Sequence, residues 1–374
     1  MVNKAPDNYW EMGPAEILSP DTPETLRLQG GHPFADMYQT SLLVHEELLG
    51  NGGGPVLSGD FLRILADRLN MLPTTPSVTF MGGGRLPGGV NGIEYQHCLN
   101  VAGEIAALLG EMTASTGSGP GAMAAAHEGT EQAINGGATN FGVTMEPLVK
   151  IEIPGPHNHR LGVVKLMPRR LEFLLRLAMG VVNLRGGVGS LQEEAVEAAT
   201  VLDERNKEMD WPIIFSEPHT GNDTPMMDLM RLFEAIAGPE ALSRKIILQQ
   251  GTNYEPLSVL KKLKGDSNGF WNRDIALPEQ AFRPSQLNPA FIKSIDLRDP
   301  RDVPSRTFSE LSHLAFYVVQ TFLNPEYVRE NGAAQIKIAR SLHSPLVKVL
   351  RGFWEQGRVK SKLSLDDVIN FQLV

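Results

Sequence analysis

The sequence predicts an α/β fold: a doubly wound parallel sheet flanked by helices, with a short N-terminal segment before it and a mainly helical C-terminal extension. Three observations predict it. From Ser77 onward, short β-branched and aromatic runs alternate with longer runs that are apolar at three- and four-residue steps. Such alternation implies right-handed βαβ crossovers, hence parallel strands with helices on both faces. Three glycine-rich loops stand where a strand ends and a helix begins, the place where open α/β sheets bind ligands. A hydrophobic content of 42% supplies the core such a sheet needs.

The elements follow in order. Over residues 1–75, "PDNYWEMGPAEILSPDTPE" reads as an irregular surface segment, while "FADMYQTSLLVHEELLG" and "GDFLRILADRLNML" read as helices. Residues 76–265 form the sheet domain. "SVTFM" is its first strand and ends in Gly82–Gly84; a helix from Ile93 to Leu109 follows. "MTAST" is a strand, "GSGPGAM" a loop, "AMAAAHEGTEQAI" a helix and "NFGVTM" a strand. Next come the loop "IPGPHNHR", the strand "GVVKLM", the helix "RRLEFLLRLA" and the strand "GVVNL". The loop "RGGVGS" opens the helix "LQEEAVEAATVLDE"; "PIIF", a helix near Met226–Ile236 and "KIILQQG" complete the alternation. "KGDSNGFWNRD" marks a boundary, and 266–374 is the extension, where Phe308, Leu311, Leu314, Val318 and Phe322 share one helical face.

Several function classes drop out. A net charge of −9 disfavours a nucleic-acid polymer as partner, because binding a phosphate backbone requires a basic surface. One cysteine, Cys98, allows neither an intrachain disulfide nor a cysteine-cluster metal site, and it reads as a small helix-packing residue. No run of 18 apolar residues suggests a membrane span, and the N-terminus lacks the apolar stretch of a signal peptide. A cytoplasmic enzyme or binding protein without a metal is expected.

The glycine loops "MGGG", "TGSGPGAM" and "RGGVGSLQEE" point to phosphate, since amides at a helix N-terminus bind anions and glycine permits close approach. None is a GxxxxGK[ST] loop or a full GxGxxG, and no acidic residue stands where a dinucleotide ribose needs it. A mononucleotide therefore fits better than NAD. Beyond the third loop, Ser190-Leu191-Gln192-Glu193 has the pattern of a capping box, with Ser190 capping and Glu193 reaching back. Capping and catalysis are both open for Glu193 on spacing alone. Glu193 and Glu197 share a face, while Leu191, Ala195, Ala198 and Leu202 supply an apolar one. Arg169 and Arg170 stand at a helix start, where a cation opposes the helix dipole. Either they pair with an acid such as Glu172, or they clamp an anion. His127, two turns into its helix, reads as structural. His157 and His159, in a polar loop, could reach a site but fit no metal spacing.

"MPRR", Met167 to Arg170, followed by "RGGVGSLQE", resembles the M-x-x-R-K … P-G-G-x-G-T-x-x-E signature of the Lonely Guy, or lysine decarboxylase-like, superfamily. "GGGRLPGGVNGIEYQHCLNVAGEIAALLG", "TGSGPGAMAAAHEG", "FGVTMEP" and "GFWNRDIALPEQAFRPSQLNP" look like its larger bacterial members, the pyrimidine/purine nucleotide 5′-monophosphate nucleosidases. The resemblance implies a Rossmann-like fold and hydrolysis of the N-glycosidic bond of a nucleoside 5′-monophosphate to free base and ribose 5-phosphate, with no cofactor. It implies catalytic roles for Arg170 and Glu193. It also implies phosphate or substrate contacts from Gly186, Gly187, Gly189 and Ser190, from Gly117, Gly119, Gly121 and Met123, and from Gly83 and Glu94. A homo-oligomer, dimer or tetramer, is expected on the same ground. A cytokinin riboside 5′-monophosphate phosphoribohydrolase and a non-catalytic nucleotide-binding protein are the alternatives. A pyridoxal-phosphate lysine decarboxylase is not, because none of the nine histidines precedes a lysine.

Three positions depart from the signature: Arg185 replaces its proline, Ser190 its threonine and Leu171 the lysine after the arginine. Ser190 keeps the hydroxyl, and Leu171 falls on the apolar stripe of Leu174, Leu175 and Ala178. Arg185 puts a cation at the mouth of the third loop, where it is expected to contact substrate or a second anion, or to pair with an acid such as Glu94. The region before the first strand does not resemble the family segment linked to alarmone (pppGpp) control, so that control is not expected.

Overall fold

The computed structural model describes residues 40–41, 43–44, 58–145, 154–155, 157–164, 167–218, 225–240, 246–264, 275–277, 295–297, 303–356, 359 and 361–374. The irregular start "PDNYWEMGPAEILSPDTPE", most of the first expected helix and the boundary "GDSNGFWNRD" lie outside them.

The expected α/β alternation is present. Strands β1 (Ser77–Met81), β2 (Met112–Thr116), β3 (Ala138–Met145), β4 (Arg160–Val164), β5 (Val181–Leu184), β6 (Ile213–Glu217) and β7 (Ile246–Gln250) form a sheet in the order β4-β3-β2-β1-β5-β6-β7. The pairs β1–β2, β2–β3, β3–β4, β1–β5 and β6–β7 are parallel. The chain winds outward from β1 to β4 and then returns to β5, so the switch point of the sheet lies at the β1–β5 pair. The loops after these two strands are "GGG" and "RGGVG".

The chain divides into two compact units, Met1–Leu184 with Tyr254–Asp274, and Arg185–Asn253 with Ile275–Val374. The first holds β1 to β5 and the helices α1 (Ser58–Arg68), α2 (Ile93–Leu109), α3 (Ala122–Ala133) and α4 (Met167–Leu177). Its strands are buried on both faces, which is why they read as apolar runs without strict alternation. Helix α2 packs along α3, and α4 lies on β1 and β3. Leu171, Leu174, Leu175 and Ala178 are buried, as their stripe predicts. At the edge strand β4, the buried Ser41 hydroxyl accepts from the Val163 amide at 2.7 Å and covers an otherwise open donor.

The second unit holds the helices α5 (Val188–Val201) and α6 (Pro225–Ala237). Its C-terminal part contains α8 (Pro304–His313), reached after the short α7 (Ser258–Lys264) of the first unit, and a π-helical turn at Leu314–Val318. The short helices α9 (Val319–Phe322) and α10 (Pro325–Asn331) follow, then α11 (Arg340–Glu355) and α12 (Leu365–Val368). Phe308, Leu311, Leu314, Val318 and Phe322 are buried as expected. The extension also contains what its helical pattern hides: a three-stranded parallel sheet of β8 (Asp296–Leu297), β9 (Ala334–Ile338) and β10 (Ile369–Leu373), in the order β10-β9-β8. One expected boundary moves: "GVVKLM" ends as a strand at Val164, and Met167 already starts α4.

Candidate functional site

The motif residues fall in both units. In the first, the loop after β2 is built around Arg170, which is buried in α4. Its Nε donates to the Val143 carbonyl at 3.0 Å and its Nη2 to the Gly117 carbonyl at 3.0 Å. A methyl group on Gly117 would overlap that guanidinium, so the glycine there makes room for the arginine. Met123, also buried, places its sulfur 2.9 Å from the same point. Two donors of Arg170 therefore hold loop and strand backbone, which makes it a positioning residue in this structure. Its neighbour Arg169 pairs with Glu172 at 2.9 Å, the ion pair that its sequence position allowed.

The first two glycine loops pack on each other. Gly121 caps α3 with φ at +69°. A methyl group there would overlap the Gly83 carbonyl oxygen and lie 2.7 Å from the Gly84 carbonyl carbon. The Ala122 amide, first of the helix, donates to the Gly83 carbonyl at 3.0 Å. Ser118 also has positive φ, +65°, and its amide is held by the Thr116 hydroxyl at 2.9 Å. The Gly119–Pro120 step completes the turn. Glu94 opens α2 and is buried, close enough to raise the thiol pKa of the fully buried Cys98 further than desolvation alone does.

The histidines of the β3–β4 connection serve this same scaffold. His157 Nδ1 and His159 Nε2 meet the two carboxylate oxygens of Glu131 on α3, at 2.9 and 3.0 Å. The Asn140 amide donates to His159 Nδ1 at 3.2 Å. Both rings thus tie the loop to α3. His127 is buried, and desolvation first, then His157 and His159, lowers its pKa to about 3, in keeping with a structural role. Among the described residues no three His, Cys, Asp or Glu side chains group as metal ligands.

In the second unit, Arg185 to Gly189 lead into α5. The helix begins at Val188, earlier than its sequence suggests, with Gly187 as N-cap and no side-chain cap. Ser190 is the third helical residue, so the capping-box reading of Ser190 and Glu193 is corrected: the glycine loop itself turns the chain into the helix. The amides of Ser190 and Leu191 fold back on the Gly187 carbonyl, at 3.0 and 3.2 Å. A methyl group on Gly189 would meet no described atom within 4 Å. That glycine is not required by packing, in contrast to Gly117 and Gly121.

Every residue of α5 except Gly189 is buried, carboxylates included. At about 100° per residue, Glu193, Glu197, Ser190 and Glu194 fall within an arc of about 100°, with Ala198, Leu191 and Ala195 on the adjoining side. Three buried carboxylates on one arc cannot all ionise cheaply. Desolvation, then the adjacent Glu193, raise the Glu194 pKa well above the ordinary carboxylate range. Its Oε2 is buried without a hydrogen-bond partner among the described residues. Helix α8 and the π-helical turn pack on α5. They bring His313, whose pKa is lowered to about 4 by burial, and Tyr317, whose phenol pKa is raised by burial. Arg185 is buried too, and its Nη2 donates to Gln356 Oε1 at 2.9 Å. Spacing alone missed Glu194 and Gln356: the first looks like one acid of an exposed helix start, and the second lies 171 residues from its partner.

Residues 123–245 match the family model described as "Possible lysine decarboxylase". Over this stretch the chain resembles the Lonely Guy, lysine decarboxylase-like, superfamily, in keeping with its paired motifs. The pyrimidine/purine nucleotide 5′-monophosphate nucleosidases of Escherichia coli K12 and O157:H7 are each 28% identical to the chain over 152 residues. The match covers 40% of this chain and 32% of each relative, so the chain aligns with about a third of the length of these curated relatives. The molybdenum cofactor binding protein of Rippkaea orientalis aligns at 17% identity and a TM-score of 0.35, over 51% of this chain and 96% of its own. The molybdenum cofactor carrier protein of Chlamydomonas reinhardtii gives the same identity and TM-score, over 51% of this chain and 99% of its own. Both motif residues of the Lonely Guy signature, Arg170 and Glu193, lie inside the matched stretch. Among the described residues no helix is long and apolar enough to cross a membrane.

Proposed function

We propose that the protein is a nucleoside 5′-monophosphate phosphoribohydrolase: water adds at C1′ of the ribose, the C1′–N bond breaks, and free base and ribose 5-phosphate leave. The observation that carries this reading is the start of α5. There a glycine loop with open space at Gly189 leads directly into a buried Glu193 that is not part of a capping box. The Ser190 amide folds back on Gly187, which leaves the Val188 and Gly189 amides at the helix start as the anion donors for a 5′-phosphate, beside the partly exposed Gly187 and Gly189. Anchoring that non-reacting group positions C1′. Cleavage develops positive charge on the sugar, which the Glu193 carboxylate stabilises while it orients water and takes its proton. Arg170 supports the reading from the scaffold, by holding the Gly117 loop against β3. The matched nucleosidases support it by name.

A panel of purine and pyrimidine nucleoside monophosphates, assayed for free base and ribose 5-phosphate, tests the proposal. Release from at least one member is expected. Binding without release from any member would replace it with a nucleotide-binding protein.

A further inference from the structure

Arg185 is the departure that the family signature leaves unexplained, and its hydrogen bond points to a role for the C-terminal extension. A loop with glycine at 186, 187 and 189 has much backbone freedom to lose before its amides can converge on an anion. The signature's proline would fix φ and remove part of that freedom. Arginine does not restrain its own backbone, so any restraint must come through its side chain. That side chain is buried, which is unusual for a guanidinium, and its Nη2 donates to Gln356 Oε1 at 2.9 Å.

The acceptor is firmly placed. Gln356 is the C-cap of α11, and its own amide donates to the Gly352 carbonyl at 3.1 Å. Helix α11 runs 16 residues, buries Leu342, Leu346, Val349, Leu350 and Phe353, and packs on α6, α12 and β10. The Arg185 bond therefore ends on a rigid element, and a hydrogen bond with one charged partner is stronger than a neutral one. We propose that Gln356 is a positioning residue: through Arg185, the end of α11 holds the α5 glycine loop in its phosphate-binding shape. This deepens the nucleotide reading of the same loop and rests on it. It also changes what is expected of Arg185, from a substrate contact to a side-chain substitute for the stiffness of proline.

The test uses the full chain with two readouts: binding of inorganic phosphate by calorimetry, and kcat and KM for whichever nucleoside monophosphate is hydrolysed. Gln356→Ala is expected to weaken phosphate binding and raise KM by about tenfold, while kcat stays within about twofold. Gln356→Glu, which keeps an acceptor for Arg185, is expected to stay near wild type. Adding Arg185→Pro to Gln356→Ala is expected to recover most of the lost affinity, because proline stiffens the loop without needing α11. If Gln356→Ala does not fold, the apolar Gln356→Met, of similar length, carries the same comparison. Unchanged phosphate affinity in folded Gln356→Ala or Gln356→Met overturns the proposal, as does a double variant no better than Gln356→Ala alone. Wild type that binds no phosphate overturns it together with the phosphate reading. Phosphate binding without base release overturns the nucleosidase reading alone.

Discussion

Helices α3 and α5 both follow a strand and a glycine loop, yet their first turns are built for different ends. At α3 the glycines are filled from within the protein. Arg170 occupies the space beside Gly117, the Gly83 and Gly84 backbone crowds Gly121, and the Ala122 amide already has the Gly83 carbonyl. Neither helix has a side-chain cap, but at α5 the space beside Gly189 is open and buried carboxylates follow. The same sequence signal, glycine before a helix, thus marks packing in one place and room for a ligand in the other. What separates them is the neighbour that the missing Cβ would meet, and that neighbour comes from elsewhere in the chain.

The largest expected effect is at Glu193. Glu193→Gln should lower turnover by about 1,000-fold or more, as for loss of a group acting on developing charge, with nucleotide binding within a fewfold of wild type. Steady-state kinetics with a binding titration check it; unchanged turnover would remove Glu193 from the chemistry. Next come the glycines. Gly121→Ala must adopt positive φ and meets the Gly83 carbonyl, so it should destabilise the fold by about 2–4 kcal/mol in denaturant melts. Gly189→Ala meets no such atom and replaces a poor helix former by the best, so stability should hold or rise by up to ~1 kcal/mol. Equal destabilisation at both positions would erase the distinction between the two loops. Arg170→Lys keeps the charge but cannot bridge the Val143 and Gly117 carbonyls as the fork does, and should cost about 2 kcal/mol.

Proton linkage sharpens the same contrast, with opposite signs for the two helices. Glu194 on α5 has a folded pKa raised above its unfolded value, so its contribution is fully present below pH ~4.5 and is lost as pH rises toward the folded pKa. His127 on α3 has its pKa lowered to about 3, so its contribution is present above pH ~6.5 and is lost as pH falls toward 3. Stability against pH for Glu194→Gln should therefore lose a decline on the alkaline side of pH 4.5. A parallel curve for wild type and variant would contradict a raised pKa for the buried Glu194 carboxyl.

Much of this was legible in the chain because local patterns decide it. The helix Ile93–Leu109 and the strand Met112–Thr116 begin and end where turn residues and period changes place them. The start of α5 differs from its sequence pattern for a physical reason. Ser190 is a better N-cap by composition than Gly187, but the backbone of the loop enters the helix at Val188 before any side chain is needed. The small sheet of β8, β9 and β10 was not legible, since β8 has two residues and the three strands meet from distant parts of the sequence. The role of each glycine was equally hidden. Gly117 and Gly189 look alike as letters, and the positions of Arg170 and Met123 tell them apart. The burial of all three α5 carboxylates runs against what charge at a helix start normally means.

The most direct test of the open first turn of α5 is a calorimetric titration of ribose 5-phosphate into wild type and Gly189→Ala, with thermal melts of both. Binding to wild type is expected, with at least tenfold weaker binding to the variant and a melting midpoint that is unchanged or higher. Equal affinity in a folded Gly189→Ala protein would show that no phosphate approaches this turn and would contradict the account.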